Sequence, residues 1–189
     1  MKTLIISLKL LVFMTLLTGI VYPVFIYLFA KTIFPEKSAG SFVKINEKII
    51  GSELFGQKFE SKKYFQSRPS AVDYQPMPSG GSNLASTSQT LKARIDSLRE
   101  AYIVWNELPE KTEVPPDAVF SSGSGIDPHI SPVNALLQSE RISKERNFDA
   151  NKKKQLNELI NRLTEYPQYG FLGESRINVL TLNIELDKL

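Results

Sequence analysis

LLVFMTLLTGIVYPVFIYLFA, residues 10 to 30, contains no charged side chain. As a helix these 21 residues reach about 31 Å at ~1.5 Å each, enough to cross a ~30 Å hydrocarbon core. Pro23 interrupts the run, and one proline is tolerated in a membrane helix, often as a kink. Tyr22, Phe25, Tyr27 and Phe29 crowd its far end, and tyrosines suit a membrane interface. The rival reading is a cleaved secretory signal, which calls for ~7–15 apolar residues and a small-x-small cleavage site. This run is longer, and Leu28-Phe29-Ala30 does not supply that pattern. The expectation is a short tail over 1–9, a retained transmembrane helix over 10–30 and one domain over 31–189.

Orientation rests on weaker signals. Lys2, Lys9 and the terminal amine precede the run, while Lys31 and Lys37 follow it, offset in part by Glu36. Basic residues set orientation, and the two sides are close. A very short tail stays behind, whereas a long domain is exported largely regardless of its charge. The expected arrangement has the amino terminus in the cytoplasm and the domain outside. The chain has no cysteine, which fits an oxidising compartment without demanding one.

Charge is otherwise bland. The chain carries 23 Lys and Arg against 20 Asp and Glu; without Lys2 and Lys9, residues 31–189 hold 21 against 20. That balance gives no clustered basic footprint and excludes nucleic acid as a partner. The run Lys152 to Lys154 reads as the solvated face of a helix.

Within residues 31–189, short apolar runs flank Asn46-Glu47 and predict a β-hairpin or two short strands in Gly40–Phe59. Tyr64 to Leu84 is a long loop of proline, glycine and serine, with Tyr64, Phe65, Tyr74 and Met77 interleaved. Leu91, Ile95, Leu98, Tyr102 and Trp105 form one stripe at helical period. Ser86, Thr87 or Ser88 caps its start, Pro109 marks its end, and Trp105 reads as a core or interface anchor. Val119-Phe120 reads as the end of a short strand. A second helix is expected from Ser131-Pro132 to about Arg146, with Ser131 as cap and Pro132 at the first helical position. A third runs from about Asp149 to Tyr166 on Leu156, Leu159, Ile160 and Leu163. Leu180, Leu182 and Ile184 alternate with polar residues, the pattern of a half-buried strand. Strands at both ends with about three helices between them imply an α+β domain.

SSGSGIDPHISP, residues 121 to 132, holds the only histidine. Serine, histidine and aspartate are all present, but triads are assembled by fold geometry and no GxSxG elbow occurs. One histidine without cysteine, HExxH or EF-hand spacing gives no metal site. The lysine and spacing of a phosphate loop are missing as well. Two readings stand. Ser-Gly-Ser-Gly ahead of a helix start exposes backbone N–H groups that welcome an anion. Equally, the glycines make a tight turn, Asp127-Pro128 starts another, and Ser131 caps the helix. SGGSNL (Ser79, Gly80, Gly81, Ser82, Asn83, Leu84) has the same two readings, a partner-facing loop or a turn. Arg68 in RPSA either pairs an acid across an interface or lies idle on the surface.

Together, GSELFGQKF (51–59), YFQSRPSA (64–71), SGGSNL (79–84), SGSGIDPHISPVNALLQSERISKER (122–146) and GFLGESRINVLTLN (170–183) form a series. In order and spacing it resembles the motif series of the C subunit of the bacterial potassium-transporting Kdp ATPase, as does the single amino-terminal membrane helix. The resemblance covers nearly the whole chain, and the SGSGIDPHISP block is specific; the connector from Glu110 to Asp117 carries no family signal. It implies a non-catalytic accessory subunit, at the inner membrane, of a complex that imports K⁺ at the expense of ATP. The implied partners are a channel-like subunit that selects the ion, a P-type pump subunit that forms the aspartyl-phosphate, a small membrane subunit and the lipid bilayer. This chain has neither DKTGT nor a polar multi-helix membrane region, in agreement with that division of labour.

The family's role is chaperone-like, raising the pump subunit's affinity for ATP. The resemblance places nucleotide contact at Ser122, Gly123, Ser124, Gly125 and Gln138, with Asp127 and His129 as further nucleotide or partner contacts in the same block. It implies no catalytic residue, no metal ligand and no firmly bound cofactor; ATP acts through the complex, and K⁺ is the transported ion. A domain outside the cytoplasm cannot meet cytosolic ATP, so the combined expectation is an indirect effect through contacts that differ between two pump conformations. The domain is then expected over the external mouth of the potassium pathway. The anchor packs against other subunits' helices, with Thr15 and Gly19 at that contact. The alternatives are a nucleotide-binding regulatory subunit with a cytosolic domain, a stand-alone anchored binding protein and an exported hydrolase.

Overall fold

The uncharged run lies inside a longer helix, α1, from Lys2 to Ile33, which is long and apolar enough to cross a membrane. The computed structural model describes residues 1–189. Five residues, Leu17–Val21, form a π-helical turn just ahead of Pro23. Proline has no N–H to give, and its ring crowds the carbonyl four residues back, here that of Gly19. A widened turn is a recurrent way for a helix to absorb such a residue. Thr18 Oγ1 donates to the Met14 carbonyl at 2.7 Å and Thr32 Oγ1 to that of Leu28 at 2.8 Å, so both hydroxyls are satisfied within the helix.

Contacts divide the chain into Met1–Ser52 and Glu53–Leu189. The first unit continues after α1 with one helical turn, α2 (Pro35–Ser38), and a hairpin of β1 (Phe42–Ile45) and β2 (Lys48–Ser52). Asn46 and Glu47 both have positive φ, +50° and +64°, as a two-residue turn matched to strand twist requires. The expected hairpin is present. It stops at Ser52, whose hydroxyl donates to the Gly40 carbonyl at 2.7 Å.

In the second unit, residues 53–88 form no regular element. Helix α3 (Gln89–Trp105) follows, with Ser88 as cap and Asn106 at its end, three residues before Pro109. Its predicted stripe is the covered face, with Tyr102 buried and Leu91, Ile95, Leu98 and Trp105 half-buried. Lys62 Nζ lies 5.6 Å from the Trp105 ring centroid, a cation–π distance. Val119-Phe120 is not a strand. Pro115 and Pro116 favour a tight helical turn, and Pro116–Ala118 forms a single 3₁₀ turn from which residues 119 and 120 run on.

Helix α4 (Pro132–Glu145) starts where its sequence predicts; Ser131 Oγ accepts from the Asn134 N–H at 3.1 Å. Helix α5 (Ala150–Arg162) is capped by Asp149 and ends four residues earlier than expected. The cause is the chain beyond it: Glu165 leaves the helix to pair with Arg176 across two backbone bonds of 2.8 and 3.0 Å. Lys152 and Lys154 are exposed and Lys153 half-buried on α5, as a solvated face requires.

The closing segment corrects a further expectation. Only Ile177–Asn178 (β4) is extended, antiparallel to His129–Ile130 (β3). The alternating leucines instead belong to helix α6 (Val179–Leu186). Asn178 Oδ1 accepts from the Thr181 N–H at 3.1 Å and caps it. Val179, Leu182, Asn183 and Leu186 then fall on one buried face at helical spacing. In a helix Leu180 and Leu182 point to nearly opposite sides, and both are buried because α6 is covered on more than one side. Over eight residues that burial imitates a strand's alternation, and the cap decides for the helix. The α+β class stands, with four helices in this unit. Its core joins Ile142 of α4, Leu156, Leu159 and Ile160 of α5, and Val179, Leu182 and Leu186 of α6, around Phe65 and Ile130.

Candidate functional site

Two glycine-serine loops that are distant in sequence interlock. The Gly80 N–H donates to the Ser124 carbonyl at 2.9 Å, and the Ser70 hydroxyl to the Gly125 carbonyl at 2.6 Å. Gly125 has φ +71°, and a Cβ there would stand 2.6 Å from the Gly80 carbonyl oxygen and 2.7 Å from Val72. Only glycine satisfies both the dihedral and the contact. Ser70 Oγ in turn accepts from the N–H groups of Val72 at 3.1 Å and Tyr74 at 2.8 Å. The Tyr74 hydroxyl reaches the Arg68 carbonyl at 2.7 Å, and burial pushes that phenol up to about 12. Gly56 closes the third side: its N–H donates to the Ile126 carbonyl at 2.7 Å, where a Cβ would collide with Asp127.

The charges sit at one end of this junction. Arg68 Nη1 donates to Asp127 Oδ2 at 3.1 Å and Nη2 to the Phe120 carbonyl at 3.2 Å. Asp127 Oδ1 accepts from the His129 N–H at 3.1 Å and lies 3.0 Å from His129 Nδ1. Burial tends to raise the pKa of this carboxyl, but the hydrogen bonds from His129 and the charge of Arg68 outweigh it and hold it below the ordinary 3.8. The serine hydroxyls bond within their own loop: Ser122 Oγ accepts from the Gly125 N–H at 2.9 Å, and Ser124 Oγ from that of Ile126 at 3.3 Å.

Behind the loop a buried polar spine runs along α4. Asp117 accepts from the Ser131 N–H at 2.8 Å, the Ser131 hydroxyl at 2.9 Å and Asn134 Nδ2 at 2.8 Å. Asn134 Oδ1 accepts from the Tyr102 hydroxyl and from Gln138 Nε2, both at 2.8 Å. Gln138 Oε1 accepts from the Gln66 N–H at 2.8 Å and Arg141 Nη2 at 3.2 Å. Arg141 also donates to Asn106 Oδ1 at 2.9 Å and to the carbonyls of Lys62 and Tyr64. Burial brings its pKa down from 12.5 to about 10, so it stays charged at neutral pH.

The structure thus gathers Arg68, Gly80, Gly81, Ser122, Gly123, Ser124, Gly125, Asp127 and His129 at one junction, with Gly81 against the Gly123 carbonyl. Ser79 and Asn83 are exposed and Ser82 half-buried on the same loop. Gln138 stands apart, 1% exposed, with both ends of its carboxamide used inside the chain. Arg68, Asp127 and His129 border a groove of about 1120 Å³. Gln138 and Asn134 line a different cavity of about 440 Å³, walled by Tyr74, Tyr102 and Trp105. Residues 122–125 line neither of the two. Sequence reading missed Gly56, Ser70, Asp117, Asn134 and Arg141. One signal was readable: polar residues at 134, 138 and 141 repeat at the helical period that otherwise marks an apolar face.

The arrangement holds the chain to itself: its donors and acceptors join loop to loop and loop to helix. Comparison with known proteins carries the reading further. The family model for KdpC, described as the c chain of the K⁺-transporting ATPase, matches residues 4–188. The potassium-transporting ATPase KdpC subunit of Leptospira interrogans is 46% identical over 182 residues, covering 96% of this chain and 92% of that protein. That of Polynucleobacter asymbioticus is 44% identical over 187 residues, 95% of each. That of Caldanaerobacter subterraneus is 41% identical over 176 residues, 93% of this chain and 89% of that protein. A family match over nearly the whole length, with relatives above 40% identity, establishes that the chain belongs to the KdpC family, subunits of the potassium-transporting ATPase.

Proposed function

We propose that the chain is a non-catalytic accessory subunit that supports assembly of the potassium-importing complex and promotes ATP use by its pump subunit indirectly. Residues 10–30 of α1 form the membrane crossing of the inner membrane, residues 1–9 stay in the cytoplasm, and the folded unit lies outside. The channel-like subunit, the pump subunit and the small membrane subunit are its neighbours, and lipid surrounds the anchor. K⁺ and ATP belong to those neighbours' sites.

One observation carries this reading. The groups of the SGSGIDPH block that could perform chemistry are spent on holding the chain together: Asp127 on Arg68 and His129, Ser122 and Ser124 on their own turn. A serine nucleophile needs a base within hydrogen-bond reach, and here the imidazole is bonded to a carboxylate while the hydroxyls face backbone N–H groups. Gln138 is likewise occupied as a strap on Gln66. A rigid loop of this kind can favour one pump conformation by fitting it better, which is all that an indirect effect on ATP affinity requires.

Topology mapping tests this directly. The chain has no native cysteine, so Lys154→Cys on the exposed face of α5 is a unique label site. A membrane-impermeant thiol reagent should modify it in intact cells. Modification only after permeabilisation would put the folded unit in the cytosol, reopen direct nucleotide contact and overturn the proposal.

A further inference from the structure

The groove beside the junction is walled by three stretches of chain, 113–117, 127–131 and 165–176, with Val133 and Leu137 of α4 along its length. At about 1120 Å³ it exceeds the ~300–1,000 Å³ of small-molecule pockets. Its outer wall is a loop closed by the Glu165–Arg176 pair, and that loop turns its aromatic side chains outward. Tyr169 is 86% and Phe171 76% exposed, beside exposed Tyr166 and Leu172. Contiguous apolar surface with a polar rim marks an interaction site.

The charge of the groove says what fits. Its two arginines are already spent, Arg68 on Asp127 at 3.1 Å and Arg176 on Glu165 at 3.0 Å. Asp117 is bonded only by the neutral donors of Ser131 and Asn134. Glu113 and Glu174 line the same groove, exposed and outside every ion pair of the chain. The surplus is therefore carboxylate, set among apolar side chains.

We propose that this groove holds a segment of a partner subunit that presents lysine or arginine to Glu113 and Glu174 and an apolar side chain to Val133 and Leu172. The assignment rests on the accessory-subunit reading and adds the docking surface to it. An anionic lipid headgroup or a nucleotide phosphate would meet like charge here, whereas a cationic, partly apolar peptide meets complementary charge and an apolar wall. The Tyr169 and Phe171 tip extends the contact beyond the groove, since exposed aromatics are frequent anchors of protein interfaces.

The test uses the full chain in its assembled complex. A photo-crosslinking amino acid at Val133 or Leu172 should give an adduct with a partner subunit, within a stretch containing lysine or arginine; the same group at Lys154 serves as control. Charge reversal by Glu113→Lys with Glu174→Lys should lower recovery of partner subunits at least about tenfold, because like charges are then opposed. Glu113→Gln with Glu174→Gln should have a smaller effect and make association less salt-sensitive. Both pairs are exposed, so unfolding midpoints should match the unmodified chain. Adducts with lipid alone or with a second copy of this chain would overturn the assignment, as would undiminished recovery of the charge-reversed form. If the unmodified chain recovers no partner at all, the accessory-subunit reading falls with it; if it recovers partners that the groove does not touch, only the groove assignment falls.

Discussion

Helix α4 is buried on two sides that are held in different ways. Ala135 and Ile142 face α5 and α6 and join Leu156, Leu159, Ile160, Leu182 and Leu186 in an apolar core. Gln138 and Arg141 face an irregular stretch, residues 62–66, and hold it through its backbone, while Asn134 steadies Gln138 from one turn back. On the first side regular helices meet, and their backbone polar groups are already satisfied internally. On the second, the neighbour is chain without secondary structure, whose carbonyls and N–H groups would be stranded in the interior. The long polar side chains of α4 replace the missing sheet or helix partners. The contrast teaches that α4 buries polar side chains where the neighbouring backbone is irregular and needs hydrogen-bond partners.

The largest expected effect breaks the polar side. Arg141→Ala leaves the Lys62 and Tyr64 carbonyls, Asn106 Oδ1 and part of Gln138 Oε1 without their donor. At ~1–3 kcal/mol for each buried acceptor left unmatched, with some relief from water entry, the loss should be about 4 kcal/mol in denaturant unfolding of the detergent-solubilised chain. Arg141→Lys keeps the charge but loses the planar fork, and should restore only part of it. A loss below ~1 kcal/mol for the alanine variant would mean that the spine does not hold residues 62–66.

The apolar side comes next. Leu182 is fully buried between α6 and the core, and Leu182→Ala should cost about 3 kcal/mol in the same measurement. The effect should be confined to stability, with co-recovery of partner subunits unchanged at temperatures where the variant stays folded. If instead Leu182→Ala abolishes partner recovery while the fold is intact, α6 lies at an interface and the core assignment is wrong.

The same contrast explains what could be read in advance. The hairpin at Asn46-Glu47, the start of α4 at Ser131-Pro132 and the stripe from Leu91 to Trp105 were legible because each is local: a turn, a cap, a period. Helix α6 was misread as strand because its decisive residue, Asn178, acts as a cap only once β4 has ended beside β3. Of the site, the glycine-serine words and Arg68 were visible as candidates, while their interlock was not. The Gly80–Ser124 and Ser70–Gly125 bonds join residues more than forty positions apart, and no sequence period records them. Asp117 and Arg141 escaped notice because charged residues are normally assigned to the surface, and only their neighbours' unpaired backbone groups call them inside.

The smallest expected effect concerns the carboxylate at the junction. Asp127 has a depressed pKa in the folded chain, because the hydrogen bonds of His129 and the charge of Arg68 prevail over burial. A carboxyl of this kind binds its proton more readily when the chain is unfolded. Its stabilising contribution is therefore complete above the ordinary value of 3.8 and disappears as pH falls through the lower folded-state value. The side chain is 28% exposed, so solvent screens the pair and the contribution should stay below about 1 kcal/mol. Asp127→Asn keeps the shape and one acceptor for His129 but has nothing to titrate. Unfolding midpoints measured from pH 6 downward should accordingly fall less steeply for the variant than for the unmodified chain once pH drops below about 4, and the two curves should converge in stronger acid. Parallel curves would mean that Arg68 and His129 do not act on this carboxylate in solution, and the loop would then owe its rigidity to the glycine contacts alone.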